Sequence, residues 1–310
     1  QNTSKIRLGT GVAIAGTRIA PTTAAAISSI NALAPGRVFL GIGTGHTAMR
    51  VMGQDPIPIN EFREYLRVVR AMLHGEETEY TYNGKTTSIV WQEHGDGFRN
   101  IEIPIPIYVA ANGPRALRTA GMYGDGLCSI FNEQIPVLDF NLTHVAEGAK
   151  IAKRSTKDFH TTTLTNAVIL KAGDRLQDDA VIERAGSWAV TALHFVYEIW
   201  RYTKDDSVVP EYMKSIWEEY SDHVANFPVP EEKSHQLIHE GHCSFYTPGE
   251  KKFVTPEMIE GTSLVGSPAE IAEKINLAGK HGLTEVSLLP PLANLREAAK
   301  DFAEQVIPLC

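Results

Sequence analysis

Short apolar runs alternate with longer stretches of helical pattern along the chain, and this alternation constrains the fold more than any single motif does. Buried strands are predicted at 6–12, 38–40, 105–110, 126–130, 164–171 and 284–289. Helices are predicted to begin near Pro21, Pro114 and Ser267, because proline is favoured at the first helical position and serine at the cap. Strands separated by helices run parallel in known folds. The sequence therefore predicts an α/β fold built from parallel βα units.

The stretch from about 186 to 259 interrupts this alternation. It is rich in aromatic residues and helical in pattern, and no strand is predicted within it. Strands resume after it, so we interpret the stretch as a helical insertion within a single domain that covers residues 1–310.

The composition excludes several classes of protein. Hydrophobic residues make up 43% of the chain and charged residues 21%, as in ordinary globular proteins. The formal net charge of −8 argues against a nucleic-acid partner, which usually leaves a basic surface. The 3 cysteines do not form a disulfide framework, which indicates reduced thiols and a cytoplasmic setting. No apolar run approaches the roughly 20 residues of a membrane span, so we expect no membrane partner.

The segment "RVFLGIGTGHTAMRVMG", residues 37–53, sets three glycines at alternate positions after an apolar strand. A dinucleotide fingerprint needs a glycine where His46 stands, so the spacing disfavours a Rossmann site. A second interpretation is a barrel strand that ends after Leu40, since barrel active sites are built at such ends. There Thr44 offers a hydroxyl, and His46 offers a group that titrates near neutral pH. A tight turn with an exposed histidine is the third interpretation.

The segment "YVAANGPRALRTAG", residues 108–121, places Asn112 and Gly113 between a strand and a helix. Backbone N–H groups at a helix N-terminus bind anions, and Arg115 and Arg118 in the first turns can add positive charge. This pattern is typical of a phosphate site, and an ordinary capped junction with solvated arginines is the alternative.

The segment "HQLIHEGHC" brings potential metal ligands together at His235, His239, His242 and Cys243. On a continuous helix the three histidines would share one face, which favours zinc binding. However, Gly241 interrupts the helix and no second ligand cluster follows. We therefore interpret these histidines as a solvated or capping face and predict no metal site.

Four motifs follow one another along the chain: "IRLGTGVAIAGTRIAPTTAAAISSINALAPGRVFLGIGTGHTAMRVMG", the predicted helix and Asn83-Gly84 hairpin of "FREYLRVVRAMLHGEETEYTYNGKTTSI", "IPIYVAANGPRALRTAGMYGDGL" and "SLVGSPAEIAEKINLAGKHGLTEVSLLPP". In this order they resemble the bacterial luciferase-like superfamily of flavin-dependent monooxygenases and coenzyme F-420-dependent reductases and dehydrogenases. The resemblance covers nearly the whole chain and implies a TIM (β/α)8 barrel with a helical insertion. It also implies two further βα units, about 60 residues, before the first motif, so these N-terminal barrel units are expected to be missing from this chain.

The resemblance assigns the cofactor contacts residue by residue. Gly11 and Val12 match the strand-end peptide that backs the isoalloxazine ring, often through a non-proline cis bond. A glycine there also allows a ring to approach the backbone closely. Thr44 and Gly45 match further cofactor contacts.

The same resemblance identifies Asn112 and Gly113 with the loop that holds the cofactor phosphate, with Arg115 and Arg118 as helpers. His46 occupies a position that is acidic in the sugar-phosphate dehydrogenase and methanopterin reductase branches. It is therefore predicted to be the catalytic residue, either as a proton donor or as a group that steers the substrate.

The resemblance implies an oxidoreductase. An FMN-dependent monooxygenase that acts on a small organic substrate is expected, with a flavin reductase as a partner and a homodimer as the family assembly. Hydride transfer with coenzyme F-420 is the alternative activity. A non-catalytic flavin-binding or partner paralogue is the alternative outside the enzymes.

Overall fold

A computed structural model describes residues 3–92 and 97–310. The strands are β1 (Leu8–Gly9), β2 (Ala13–Ile14), β3 (Val38–Gly43), β4 (Thr78–Tyr82), β5 (Lys85–Ile89), β6 (Ile107–Ala110), β7 (Gly126–Ile130), β8 (His160–Ile169), β9 (Ser263–Gly266) and β10 (Glu285–Leu288). The helices are α1 (Ala20–Leu33), α2 (His46–Arg50), α3 (Ile59–Leu73), α4 (Pro114–Tyr123), α5 (Ile135–Ile151), α6 (Asp179–Thr203), α7 (Lys214–Ala225), α8 (His235–Ile238), α9 (Pro256–Thr262), α10 (Pro268–Lys280) and α11 (Leu295–Asp301). This order confirms the predicted α/β class.

The contacts divide the chain into two compact units. Unit 1 comprises Gln1–Met49, Asp55–Ser129 and Asp139–Thr162, and unit 2 comprises Arg50–Gln54, Ile130–Leu138 and Thr163–Cys310. The three cysteines are free thiols. Within 3–92 and 97–310, every helix is too short or too polar to cross a bilayer.

Unit 1 contains a parallel sheet in which β3 has neighbours on both sides. β1 and β2 both pair with β3, with Leu8 opposite Val38 and Ala13 opposite Ile42. On its other side β3 pairs with β6, and β6 pairs with β7. Because all of these pairs are parallel, the carboxyl ends of the strands meet at one edge of the sheet.

An apolar core fixes the helices of unit 1 against this sheet. Leu40 and Ile42 of β3, Phe62 and Leu66 of α3, and Leu117 of α4 are each at most 1% exposed and belong to one cluster. Apolar residues at helical spacing in α3 make this burial possible, as the sequence pattern predicts. The strand ends are therefore held on a packed support.

The β3 strand extends further than the sequence pattern predicts. The predicted end after Leu40 is wrong, since β3 continues to Gly43. A Cβ atom built on Gly41 would lie 2.1 Å from the carbonyl oxygen of Thr10, so only glycine permits this close approach. The Thr10 hydroxyl also donates a 2.6 Å hydrogen bond to the carbonyl of Gly41. The loop at this strand end is therefore reduced to Thr44 and Gly45.

The hairpin β4–β5 in unit 1 confirms a turn that the Asn83-Gly84 dipeptide indicates. Both residues have positive φ angles, 50° and 75°, as a type I′ turn requires. Tyr82 and Lys85 face each other across this turn.

Unit 2 pairs β8 with β9 and with β10. Between β8 and β9 the chain forms α6 to α9, so the helical segment runs from 179 to 262 and is wider than the predicted 186–259. Two of its aromatic residues are buried, Tyr220 at 1% exposure and Phe253 at 0% exposure. They belong to the core of unit 2 together with aliphatic residues such as Leu193 and Met213.

Candidate active site

The peptide between β1 and β2 and the segments that follow β3 and β6 meet at one edge of the unit 1 sheet. Ile14 lies opposite Gly43, and Ala110 lies opposite Cys128 on β7. A Cβ atom built on Gly43 would lie 3.1 Å from the Cβ of Ala110 and 3.5 Å from Cγ2 of Val12. The fold therefore brings most of the predicted site residues to this edge, namely Gly11, Val12, Thr44, Gly45, His46, Asn112 and Gly113.

The Gly11–Val12 peptide presents an open backbone face at this edge. The peptide bond is cis, as the family resemblance implies. Gly11 is exposed and Val12 is half-buried, and no described atom lies within 4 Å of a Cβ atom built on Gly11. A flat group can therefore lie directly against this stretch of backbone.

Thr44, Gly45 and His46 connect β3 to α2. Gly45 has a φ of +90°, and a Cβ atom there would lie 2.4 Å from Cγ2 of Ile14 and 2.9 Å from Cγ of Met49. Only glycine fits this position, so it sets the path of the loop. Thr44 and His46 are both half-buried, and His46 is the first residue of α2. The loop thus holds a hydroxyl and an imidazole beside the edge.

A buried polar pair holds Asn112 in the neighbouring loop. The Ser129 hydroxyl at the end of β7 donates a 2.6 Å hydrogen bond to Oδ1 of Asn112. The amide Nδ2 of Asn141 on α5 donates to the Ser129 oxygen at 3.3 Å. Ser129 and Asn141 are 4% and 2% exposed. Neither residue is predicted from the sequence, although a polar residue near the end of an apolar strand is a usable signal for Ser129.

The N-terminus of α4 lies directly after this loop. Its cap residue is Gly113, which has no side chain to cap the first backbone N–H groups. A Cβ atom built on Gly113 would meet no described atom within 4 Å. The first backbone N–H groups of α4 therefore face an accessible position where an anion can bind. Arg115 is exposed beside this position.

The second predicted phosphate helper, Arg118, is engaged elsewhere in unit 1. Its Nε donates a 2.7 Å hydrogen bond to Oε2 of Glu147 on α5. The hydrogen bonds from His144 and Arg118 lower the pKa of the Glu147 carboxyl. The structure therefore separates the two arginines, with Arg115 at the helix start and Arg118 in an interhelical ion pair.

The histidines of "HQLIHEGHC" lie in unit 2 and do not share one helix face, because α8 ends at Ile238. The expectation of a solvated face is wrong for His239, which is 6% exposed. His235 and His242 are half-buried. That these histidines bind no metal stays a prediction.

Comparison with known proteins adds a family match. The sequence profile described as luciferase-like monooxygenase matches residues 1–285. An F-420-dependent glucose-6-phosphate dehydrogenase from Beutenbergia cavernae is 29% identical over 62% of this chain and 56% of its own length. A 5,10-methylenetetrahydromethanopterin reductase from Archaeoglobus fulgidus is 27% identical over 99% of this chain and 83% of its own length. The chain thus spans little more than half of the Beutenbergia cavernae protein.

A comparison of folds agrees with this match. The solved coenzyme F-420-dependent tetrahydromethanopterin reductase from Methanopyrus kandleri superimposes with a TM-score of 0.70 and 24% identity. The superposition covers 99% of this chain and 84% of that protein. This likeness confirms the fold class that the sequence predicts.

Proposed function

The chain belongs to the family of luciferase-like monooxygenases, and from this membership we propose that it is an oxidoreductase that uses coenzyme F-420. The proposed reaction is hydride transfer to or from a small organic substrate. This choice reverses the preference for an FMN-dependent monooxygenase drawn from the sequence. It is supported by the Beutenbergia cavernae and Methanopyrus kandleri proteins, whose names both state dependence on this coenzyme.

The observation that carries the proposal is the pair of open glycine faces at one sheet edge. Gly11 and Gly113 both leave space where a side chain would stand. The first face suits a flat ring system, and the second lies at a helix N-terminus that suits a phosphate. A cofactor with a planar ring and a phosphate-bearing tail fits this arrangement.

The side chains between the two faces have distinct proposed roles. Thr44 donates or accepts a hydrogen bond at the ring, and Asn112, which Ser129 holds through Oδ1, contacts the tail. The α4 backbone and Arg115 balance the phosphate charge. When bound, coenzyme F-420 supplies hydride chemistry, while the protein orients the reactants and excludes water.

We assign the proton transfer that accompanies the hydride to His46. His46 is the first residue of α2 and directly follows Thr44 and Gly45, and histidine is the side chain that most often serves as a general acid or base. A histidine can therefore take a proton when the substrate is oxidised and give one when it is reduced.

Titration of the purified chain with coenzyme F-420 and with FMN, followed by fluorescence, tests this proposal. We expect coenzyme F-420 to bind with a Kd in the micromolar range, roughly −8 kcal/mol, and FMN to bind at least about tenfold more weakly. Tighter binding of FMN would support the monooxygenase instead. Binding of neither cofactor below about 1 mM, roughly −4 kcal/mol, would favour the non-catalytic paralogue.

The small organic substrate, the homodimer and a flavin reductase partner are further proposals from the family resemblance. Of these, a flavin reductase is needed only by the FMN-dependent monooxygenase.

A further inference from the structure

Three histidine side chains meet in the helical part of unit 2, among residues that the proposed function does not use. His194 lies on α6, His239 follows α8, and His242 lies in the next turn. One ring nitrogen from each histidine lies within 4.8 Å of those of the other two. Only His194 and His239 are almost fully buried, at 1% and 6% exposure.

Two of these imidazoles hold buried nitrogen atoms without hydrogen-bond partners among the described residues. Nε2 of His194 pairs with Oε1 of Glu250 at 2.7 Å, but Nδ1 of His194 has no partner. Neither ring nitrogen of His239 makes a hydrogen bond. Its Nε2 lies 3.7 Å from Oε1 of Glu198, which is too long for one. Buried polar atoms are nearly always paired, so these nitrogens indicate a missing ligand.

The contact between His194 and Glu250 orients the ring for metal binding. Oε2 of Glu250 accepts hydrogen bonds from the backbone N–H and the hydroxyl of Thr247, both at 2.8 Å, so the carboxylate is fixed. With the Nε2 proton donated to Glu250, Nδ1 of His194 carries the lone pair. Carboxylate–histidine–metal relays of this kind are the usual outer support of metal sites.

We infer that His194, His239 and His242 bind one divalent cation of the zinc class through one nitrogen each. Imidazole nitrogens suit Zn²⁺, and three protein ligands leave a fourth position for water. Nitrogens bound to a tetrahedral zinc ion lie about 3.4 Å apart, so small side-chain rotations close the site. Glu198 stays outside the ligand set, because Arg50 and Arg201 each place Nε 3.4 Å from its Oε2.

This inference is independent of the proposed cofactor chemistry and replaces the sequence-based prediction of no metal. The alternative is that the rings only pack edge to face. His194 and His239 have centroids 5.6 Å apart at 88°, and His239 and His242 have centroids 5.4 Å apart at 78°. Metal binding by the folded chain distinguishes the two cases.

The test is a competitive titration of the chelator-stripped full chain with Zn²⁺ and a chromophoric chelator, with Co²⁺ absorption as a second signal. We expect one Zn²⁺ per chain with a Kd below about 1 µM. His239→Ala and His242→Ala should each weaken binding by roughly 100-fold or more. Glu250→Gln should weaken it by about 10- to 100-fold, as loss of an outer partner does.

His235→Ala is the matched control, because His235 belongs to the same sequence motif but not to the cluster. It should bind zinc as the unmodified chain does. Circular dichroism checks the fold of each variant. If the variant at the buried His239 unfolds, the zinc affinities of His242→Ala and Glu250→Gln decide the result, because His242 is half-buried and the exchange at Glu250 keeps a polar side chain. The inference is overturned if the unmodified chain binds no stoichiometric Zn²⁺, or if the cluster variants bind it unchanged.

Discussion

The hydroxyl of Ser129 donates a 2.6 Å hydrogen bond to Oδ1 of Asn112 and so joins the end of β7 to the loop after β6. The hydroxyl is buried, whereas Asn112 is exposed at the sheet edge. A residue in the core thus orients a side chain on the surface of the candidate site. This bond makes Ser129 a positioning residue.

Ser129→Ala should weaken cofactor binding about 5- to 10-fold, because it removes one hydrogen bond worth about 1 kcal/mol. Fluorescence titration with coenzyme F-420 measures the change. Thr143→Ala on α5 is the control, since its exposed hydroxyl donates a hydrogen bond to the Asp139 carbonyl on the same helix. Equal affinities of the Ser129→Ala variant and the unmodified chain for coenzyme F-420 would contradict a contact between Asn112 and the cofactor tail.

The two arginines of α4 should behave differently. Arg115→Ala should weaken cofactor binding by roughly 3- to 10-fold, since an exposed charge near a phosphate contributes about 1 kcal/mol. Arg118→Ala should leave it unchanged, because Arg118 pairs with Glu147. The same titration compares both variants. A larger loss for Arg118→Ala would mean that this ion pair opens when the cofactor binds.

His46→Ala should lower turnover by roughly 100-fold while the cofactor affinity changes little, as loss of a general acid or base does. Steady-state kinetics with the reduced or oxidised coenzyme and candidate substrates give kcat. His74→Ala is a control histidine in unit 1, close to Glu76 and half exposed. Unchanged turnover in the His46→Ala variant would return His46 to the role of an ordinary turn residue.

Two glycine-to-alanine substitutions should distinguish a glycine needed for stability from one needed for cofactor binding. Gly41→Ala should lower the free energy of unfolding by about 1–3 kcal/mol, since the new Cβ would overlap the Thr10 carbonyl. Gly113→Ala should change it by less than about 0.5 kcal/mol, because its φ of −98° suits alanine and the space is open. Urea denaturation measures both.

The Gly113→Ala variant should nevertheless bind the coenzyme less well, because the added methyl group occupies the proposed phosphate position. Full affinity in this variant would contradict a phosphate at the start of α4.

Glu133 in unit 2 should make stability depend on pH. Burial raises its pKa, although Thr163 and Thr165 donate hydrogen bonds to the carboxyl group at 2.5 and 2.8 Å. The pKa of Glu133 is therefore higher in the folded state than in the unfolded state. The contribution of the protonated carboxyl group to folding stability is fully present below the unfolded-state pKa, and this contribution is lost as the pH rises through the folded-state pKa. A tenfold difference between the folded and unfolded acid dissociation constants corresponds to about 1.4 kcal/mol.

The Glu133→Gln variant should not lose this stability, because glutamine does not ionise. Its free energy of unfolding should therefore increase relative to that of the unmodified chain as the pH rises from 4 to 7. Urea denaturation across this range tests it, with the exposed Glu240→Gln as control. A constant difference between Glu133→Gln and the unmodified chain would show that Glu133 ionises normally in the fold.

Local signals in the sequence determined most of the secondary structure. Proline and serine at helix starts placed α1, α4 and α10, and Asn83-Gly84 placed the hairpin turn, because these residues act through their own backbone and neighbours. The segments that form the candidate edge were also visible, since parallel βα units end their strands on one side.

Tertiary contacts decided what the local pattern did not contain. In the sequence Gly41 resembles the start of a loop, yet it continues β3. The reason for a glycine there is the backbone carbonyl of Thr10, 31 positions earlier, which lies too close to leave room for a side chain. Arg115 and Arg118 are equivalent in the sequence pattern, but in the folded chain Arg118 forms an ion pair with Glu147 on α5. His194 showed no connection to His239 in the chain. Their meeting follows from the packing of helices far apart in sequence, and no local rule encodes such packing.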